Sequence, residues 1–286
     1  MAHRGASAVR EGNSASAEWR NAVDRARMDQ EERHRPEPTD AWTPELWVQD
    51  DEPSPPRVRR AGESTPEARS KTKRTKAKAL PDDVTGELVE ASGARRAPRL
   101  ARELAIAAQA YESGRYPDAQ RILKRLAEAA PTAAGVRELH GLTLYRMGRW
   151  RQAKVELEAS TALSASPDQL PVIADCERAL GHHDAVERVI DDLRRASPGV
   201  EVLAEGRLVL AGSLADRKRL PEAIAILSRW EANRARPKDW HLRTWYALGD
   251  LYERAGELPR ARALFQRLVD HDPDFFDASE RLSALR

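Results

Sequence analysis

Residues 244–273, TWYALGDLYERAGELPRARALFQRLVDHDP, hold the pattern that decides the fold. Trp245, Leu248, Gly249 and Tyr252 fall at helical spacing before Gly256, and Ala261 and Phe265 fall at helical spacing after it. Glycine takes the left-handed backbone that ends a helix without steric cost, so Gly256 marks a turn between two helices. Gly249 and Ala261 are small residues that let the two backbones approach, and Phe265 fills the space towards the next element. Pro273 closes the unit.

The same grammar extends towards the N-terminus at a period in the thirties. Small residues open each second helix at Ala119, Ala153, Val186, Ala223 and Ala261. Five positions earlier stand the turn residues Gly114, Gly148, Gly181, Lys218 and Gly256. Two positions after each turn comes a large side chain: Tyr116, Trp150, His183, Leu220 and Leu258. A bulky apolar column follows at Leu123, Leu157, Ile190, Leu227 and Phe265, and a second small column precedes at Ala107, Gly141, Ala174, Ala211 and Gly249. Prolines 131, 167, 198, 237 and 273 fall between units. One such hairpin cannot bury its apolar face alone, but a stack can.

Trp245, Leu248, Gly249, Tyr252, Ala261, Phe265 and Pro273 stand where the tetratricopeptide repeat family has its consensus residues, so the last unit resembles that family closely. Units 100–133 and 134–167 resemble it less, and 168–200 and 201–239 are degenerate, the latter lacking the turn glycine. The resemblance implies an all-α, right-handed solenoid of about five repeats over 100–286, ending in a capping helix at FFDASERLSAL. It also implies an adaptor or scaffold that binds a peptide or helix in its concave groove. QLPVIADCERALG (169–181) and LPDDVTGELVE (80–90) further resemble a group of actinobacterial tetratricopeptide repeat proteins, although most of the helical stretch expected between Glu90 and Leu100 is missing. Residues 79–99 are therefore expected to be a linker or a short docking segment.

Residues 1–78 differ sharply in character. They hold few aliphatic side chains, many charges and Pro/Ser/Thr clusters such as DDEPSPPRVRRAGESTPEARS, too little apolar area to offset backbone ordering. A disordered tail is expected, with short helix-prone stretches at 17–33 and 43–49. Residues 29–52 carry a net charge of −7 and residues 57–78 a net of +7, whereas the chain from residue 100 onward has 29 basic and 28 acidic residues. The run 69–78, RSKTKRTKAK, holds half of the lysines. Its Lys71, Lys73, Arg74, Lys76 and Lys78 suit weak, salt-sensitive contact with a polyanion. An alternative function follows from it, a nucleic-acid or ribosome-associated factor. Trp19, Trp42 and Trp47 lie in this tail, free to dock on the solenoid or on a partner.

Motifs for catalysis are missing: no glycine-rich phosphate loop, no Gly-Lys-Ser/Thr and no Gly-x-Ser-x-Gly. His182 and His183 are adjacent and point about 100° apart on a helix, which does not suit a shared metal. His140 falls in a buried column, and Asp175-Cys176-Glu177 fans out over three directions. No enzyme activity, cofactor or metal is expected. A lone cysteine fits a reducing cytoplasm, and no apolar run of about 18 residues offers a membrane span.

The first helix of each unit would line the groove. Its inward residues are expected to be Tyr111, Glu138, Tyr145, Asp175, Arg178, Glu205, Arg243, Tyr246, Asp250 and Glu253, with Leu104 and Leu208 beside them. Their mixed charge and tyrosines suit an extended or helical peptide, and alanine at Arg178, Arg243 and Tyr246 is expected to spare the fold.

Overall fold

The computed structural model describes residues 80–230 and 236–285. The tail 1–78, with the basic run 69–78 and the stretches 17–33 and 43–49, lies outside the described residues. Among the described residues there are twelve α-helices and no strand. After α1 (Asp82–Ser92) come five hairpins: α2 (Ala97–Glu112) with α3 (Tyr116–Ala129), α4 (Ala134–Arg146) with α5 (Trp150–Ser164), α6 (Leu170–Ala179) with α7 (His183–Ala196), α8 (Val200–Asp216) with α9 (Leu220–Ser228), and α10 (Asp239–Arg254) with α11 (Leu258–His271). A short α12 (Ala278–Ala284) follows. All five prolines of the inter-unit punctuation lie between helices.

The turn inside each hairpin is one motif repeated five times. Gly114, Gly148, Gly181, Lys218 and Gly256 have φ of 69°, 71°, 75°, 63° and 78°. The residue after each donates its N–H to a carbonyl five positions back, from Arg115 to Ala110, Arg149 to Leu144, His182 to Glu177, Arg219 to Leu214 and Glu257 to Tyr252, at 2.8–2.9 Å. This satisfies the helix's orphan carbonyls and reverses the chain. The fourth unit keeps the geometry with lysine in place of glycine.

The hairpins close on the two small columns. Ala119, Ala153, Val186, Ala223 and Ala261 are all fully buried, as are Leu123, Leu157 and Phe265. A Cβ on Gly141 would sit 2.6 Å from Leu157 Cγ, and one on Gly249 3.0 Å from Phe265 Cζ. Side chains of the second helices therefore rest directly on the backbone of the first. Burial then runs from hairpin to hairpin, with Leu170 and Val189 packed against both main apolar clusters.

Within the stretch 79–99, residues 82–92 form a helix. α1 packs on α2 and α4, the first helices of the first two units. Leu88 is fully buried there, and the Glu87 carboxylate accepts the N–H of Gly135, at the start of α4, at 2.8 Å. The contact satisfies one orphan donor of α4 and places negative charge at its positive end. Burial, its largest influence, pushes the Glu87 carboxyl above its ordinary pKa.

Candidate functional site on the first helices

The first helices share a face on which polar side chains join one unit to the next. Gln169, at the start of α6, donates to Glu138 of α4 at 2.7 Å. The Tyr145 hydroxyl donates to Asp175 of α6. Arg178 of α6 grips Asp216 at the end of α8 through Nε at 2.6 Å and Nη2 at 3.2 Å, and lies 3.5 Å from Asp175. Arg243 of α10 reaches back to Glu205 of α8 at 3.1 Å and along its own helix to Asp239 at 2.8 Å. At the last junction the Tyr246 hydroxyl donates to Asp277 at 2.7 Å, and Arg281 of α12 holds Asp250 at 2.9 Å and Glu253 at 2.7 Å. Arg254 stands 3.6 Å from Asp250.

Most of the residues expected to line a groove are in this network, but they face each other. Two expectations need correction. Tyr111 and Leu104 are each only 2% exposed and belong to the core; Tyr111 meets Tyr116 edge-on across its hairpin, with ring centroids 5.5 Å apart. Tyr145 is also buried, against Trp150, although its hydroxyl reaches the face. The remaining members, Glu138, Asp175, Arg178, Glu205, Arg243, Tyr246, Asp250 and Glu253, are half-buried, and Leu208 packs partly into the core.

Seven contributors escaped the sequence reading: Gln169, Gly212, Asp216, Asp239, Arg254, Asp277 and Arg281. A Cβ on Gly212 would lie 2.6 Å from Arg178 Cζ, so the guanidinium lies on bare backbone on its way to Asp216. A signal existed for most of them, because Gln169, Asp216, Asp277 and Arg281 sit 28–38 residues from their partners, close to one repeat period.

Among the joints named above, carboxylates outnumber guanidiniums. Glu138, Asp175, Glu205, Asp216, Asp239, Asp250, Glu253 and Asp277 supply eight carboxylates, against the four guanidiniums of Arg178, Arg243, Arg254 and Arg281. Burial works against the charge of Arg281, yet Asp250 and Glu253 outweigh it and hold its pKa above the ordinary value. Arg281 also lies over the Phe265 ring, 4.6 Å from its centroid. Burial, with Asp277 adding to it, keeps the Tyr246 hydroxyl protonated well beyond the usual range.

The other chemically suggestive residues are otherwise engaged. Cys176 is fully buried, and burial pushes its thiol far above the range in which a reactive thiolate forms. His182 pairs through Nδ1 with Glu177 at 2.8 Å, whereas His183 Nδ1 meets Ser213 at 2.9 Å, so the two rings serve different neighbours. His140 is buried 3.3 Å from Glu156. Among the described residues no cluster of His, Cys, Asp and Glu has a geometry that could hold a metal, and no helix is long and apolar enough to cross a membrane.

No curated protein matches the sequence. Residues 242–285 match the family model described as tetratricopeptide repeat. Among solved structures, a thermophilic TPR protein from Thermus thermophilus is 20% identical, over 65% of this chain and 98% of that one, with a TM-score of 0.53. The TPR domain of P58(IPK) is 16% identical, over 67% of this chain and 66% of that one, with a TM-score of 0.30. Residues 242–285 thus carry a tetratricopeptide repeat, and the hairpin turn of that unit recurs in every unit back to α2, in a stack that shares its fold with the Thermus protein.

Proposed function

We propose that the chain is a non-catalytic scaffold that takes a basic, extended segment of a partner protein along the face of its first helices. Stacked hairpins of this family serve generally as protein-interaction modules. The observation that carries the finer reading is what the network presents to solvent: the side chains of Asp216, Asp239, Asp250 and Glu253 are 36–58% exposed, whereas those of Arg243 and Arg281 are 13% and 10% exposed. Side chains already held by their neighbours lose little freedom on binding, which favours a specific surface. Potentials of one sign select partners of the other and speed encounter. On this reading the solenoid 100–286 carries the partner site, 79–99 docks on it and 1–78 forms the tail. A face of this sign repels phosphate, which leaves nucleic acid to the run at 69–78 alone.

Two labelled peptides of equal length, one rich in Lys and Arg and one rich in Glu, decide the matter by fluorescence anisotropy. The basic peptide binds at low salt and is released as salt rises. Asp216→Asn combined with Asp239→Asn weakens it several-fold. Preference for the acidic peptide, or indifference to these substitutions, would overturn the reading.

A further inference from the structure

We infer that a cleft between the second helices α3 and α5 is a binding site for a phosphomonoester, with His140 at its floor and Lys124, Arg149 and Arg151 at its rim. The inference does not rest on the proposed function above, which concerns the polar face of the first helices.

Helix α4 packs on both α3 and α5 and forms the floor of an open cleft of about 670 Å³ between them. That volume lies within the range of small-ligand sites, about 300–1,000 Å³. The floor gives the first support. His140 is 6% exposed and lines the cleft, and neither of its ring nitrogens makes a hydrogen bond. Its Nδ1 stands 3.3 Å from the carboxylate of Glu156, which Arg137 holds at 2.7 Å, so Nε2 is the ring atom left without a partner. Burial works against the charge on Glu156, yet His140 and Arg137 beside it bring its pKa below the ordinary value. A buried polar atom left unpaired is costly, and a ligand oxygen in the cleft relieves it. In its charged form the ring donates from both nitrogens, to Glu156 and to that oxygen.

The rim gives the second support. Lys124, Arg149 and Arg151 are exposed, and none has an ion-pair partner among the described residues. Arg137 and Glu156 cancel, and Glu128 offsets one of the three cations, which leaves two positive charges before His140 is counted. A phosphomonoester carries about −1.5 to −2 charges near neutral pH and three acceptor oxygens, whereas a carboxylate brings one charge and two oxygens. An apolar wall for the organic part of the ester completes the site: Val155 is 62% exposed on α5, with Ala127 and Pro131 on the α3 side.

The full-length chain is titrated calorimetrically, at one ionic strength, with glycerol 3-phosphate and with a phosphoserine peptide beside its unphosphorylated parent. Both phosphate esters bind and the parent does not. Lys124→Gln with Arg151→Gln, at exposed positions, weakens binding about tenfold, the sum of two modest charge contacts. His140→Asn weakens it as well in a chain whose melting midpoint shows that it is folded. A phosphopeptide that binds more tightly than glycerol 3-phosphate identifies the source as a phosphorylated partner, and the reverse order identifies a free ester. Absence of binding by either ester overturns the inference. So does binding that survives the change at Lys124 and Arg151, as contact with the run at 69–78 would, or binding of the parent peptide equal to that of its phosphorylated form. Asp216→Asn with Asp239→Asn leaves ester binding unchanged, so failure of the proposed function and failure of this site are read separately.

Discussion

The guanidinium of Arg178 lies on the backbone of Gly212, a full unit further along the chain, where any Cβ would stand 2.6 Å from its central carbon. Because the obstructing group is the end of a flexible side chain, Gly212→Ala is accommodated by displacing Arg178 from Asp216. Loss of a half-exposed pair costs at most about 1 kcal/mol, and the helix gains about as much from replacing glycine. Gly212→Ala therefore leaves the thermal midpoint nearly unchanged. Gly141→Ala does not, because there the clash is with Leu157 Cγ at 2.6 Å and with the Leu157 backbone nitrogen at 3.1 Å. Overpacking there costs about 1–3 kcal/mol. Equal midpoints for the two variants would contradict the assigned packing.

Arg243→Ala destabilises the stack, contrary to what a solvent-facing groove residue would do. Its side chain is 13% exposed and joins α10 to Glu205 of α8. Hydrogen bonds to a partly buried charge contribute about 1.5–3 kcal/mol. Arg260→Ala, which removes an exposed pair with Glu257, serves as the control and costs about 0.5 kcal/mol or less. Denaturant titration of the two variants separates them.

Lys218→Gly stabilises the protein. Lys218 holds φ at 63° in the one hairpin turn without glycine, and the left-handed region costs an ordinary residue about 1–2 kcal/mol. Part of the relief is returned to the more flexible unfolded chain. A net gain of about 0.5–1 kcal/mol is expected as a rise of a few degrees in the melting midpoint. A lowered midpoint would mean that the lysine side chain contributes more than its backbone strain costs.

These turns show how far the sequence was readable. The spacing of the small columns and of Gly114, Gly148, Gly181 and Gly256 fixed the register of all five hairpins, and even Lys218 was placed at the turn on period alone. Helix α1 was harder to read, because its hold depends on Leu88 and Glu87 meeting α2 and Gly135 of α4, and no local spacing encodes such distant contacts. The face of the first helices was half legible. Helical geometry turns Arg178, Arg243 and Tyr246 the same way, but whether a side chain meets solvent or its neighbour depends on how the next unit is stacked. Tyr111 was lost for a different reason, since its ring packs against Tyr116 within its own hairpin.

Acid sensitivity centres on Glu177, 4% exposed and held by Lys154 Nζ and by His182 Nδ1 at 2.8 Å. Burial raises its pKa, but the hydrogen bonds from Lys154 and His182 together outweigh burial and the net direction is down. A carboxyl lowered on folding contributes stability that is fully present above its unfolded pKa and is lost as the pH falls through its folded one. Lys154→Met removes the stronger support, so the loss begins at a higher pH. Melting curves from pH 7 to pH 3 test this, and parallel profiles for wild type and variant would refute it.

The joints along the first helices combine their parts differently: an amide and a phenol, each with a carboxylate, then a two-pronged arginine reaching forward, an arginine reaching back, and lastly a phenol with a carboxylate beside an arginine gripping two acids. Hairpins that share one backbone plan are thus keyed to particular neighbours. Transposing the third and fourth units would face Arg178 with the wrong helix and strand Glu205 away from Arg243. Duplicating a unit would leave one seam without its complement. The stack is modular in outline but not interchangeable in its parts, and chimeras assembled from it will hold only where both sides of a seam travel together.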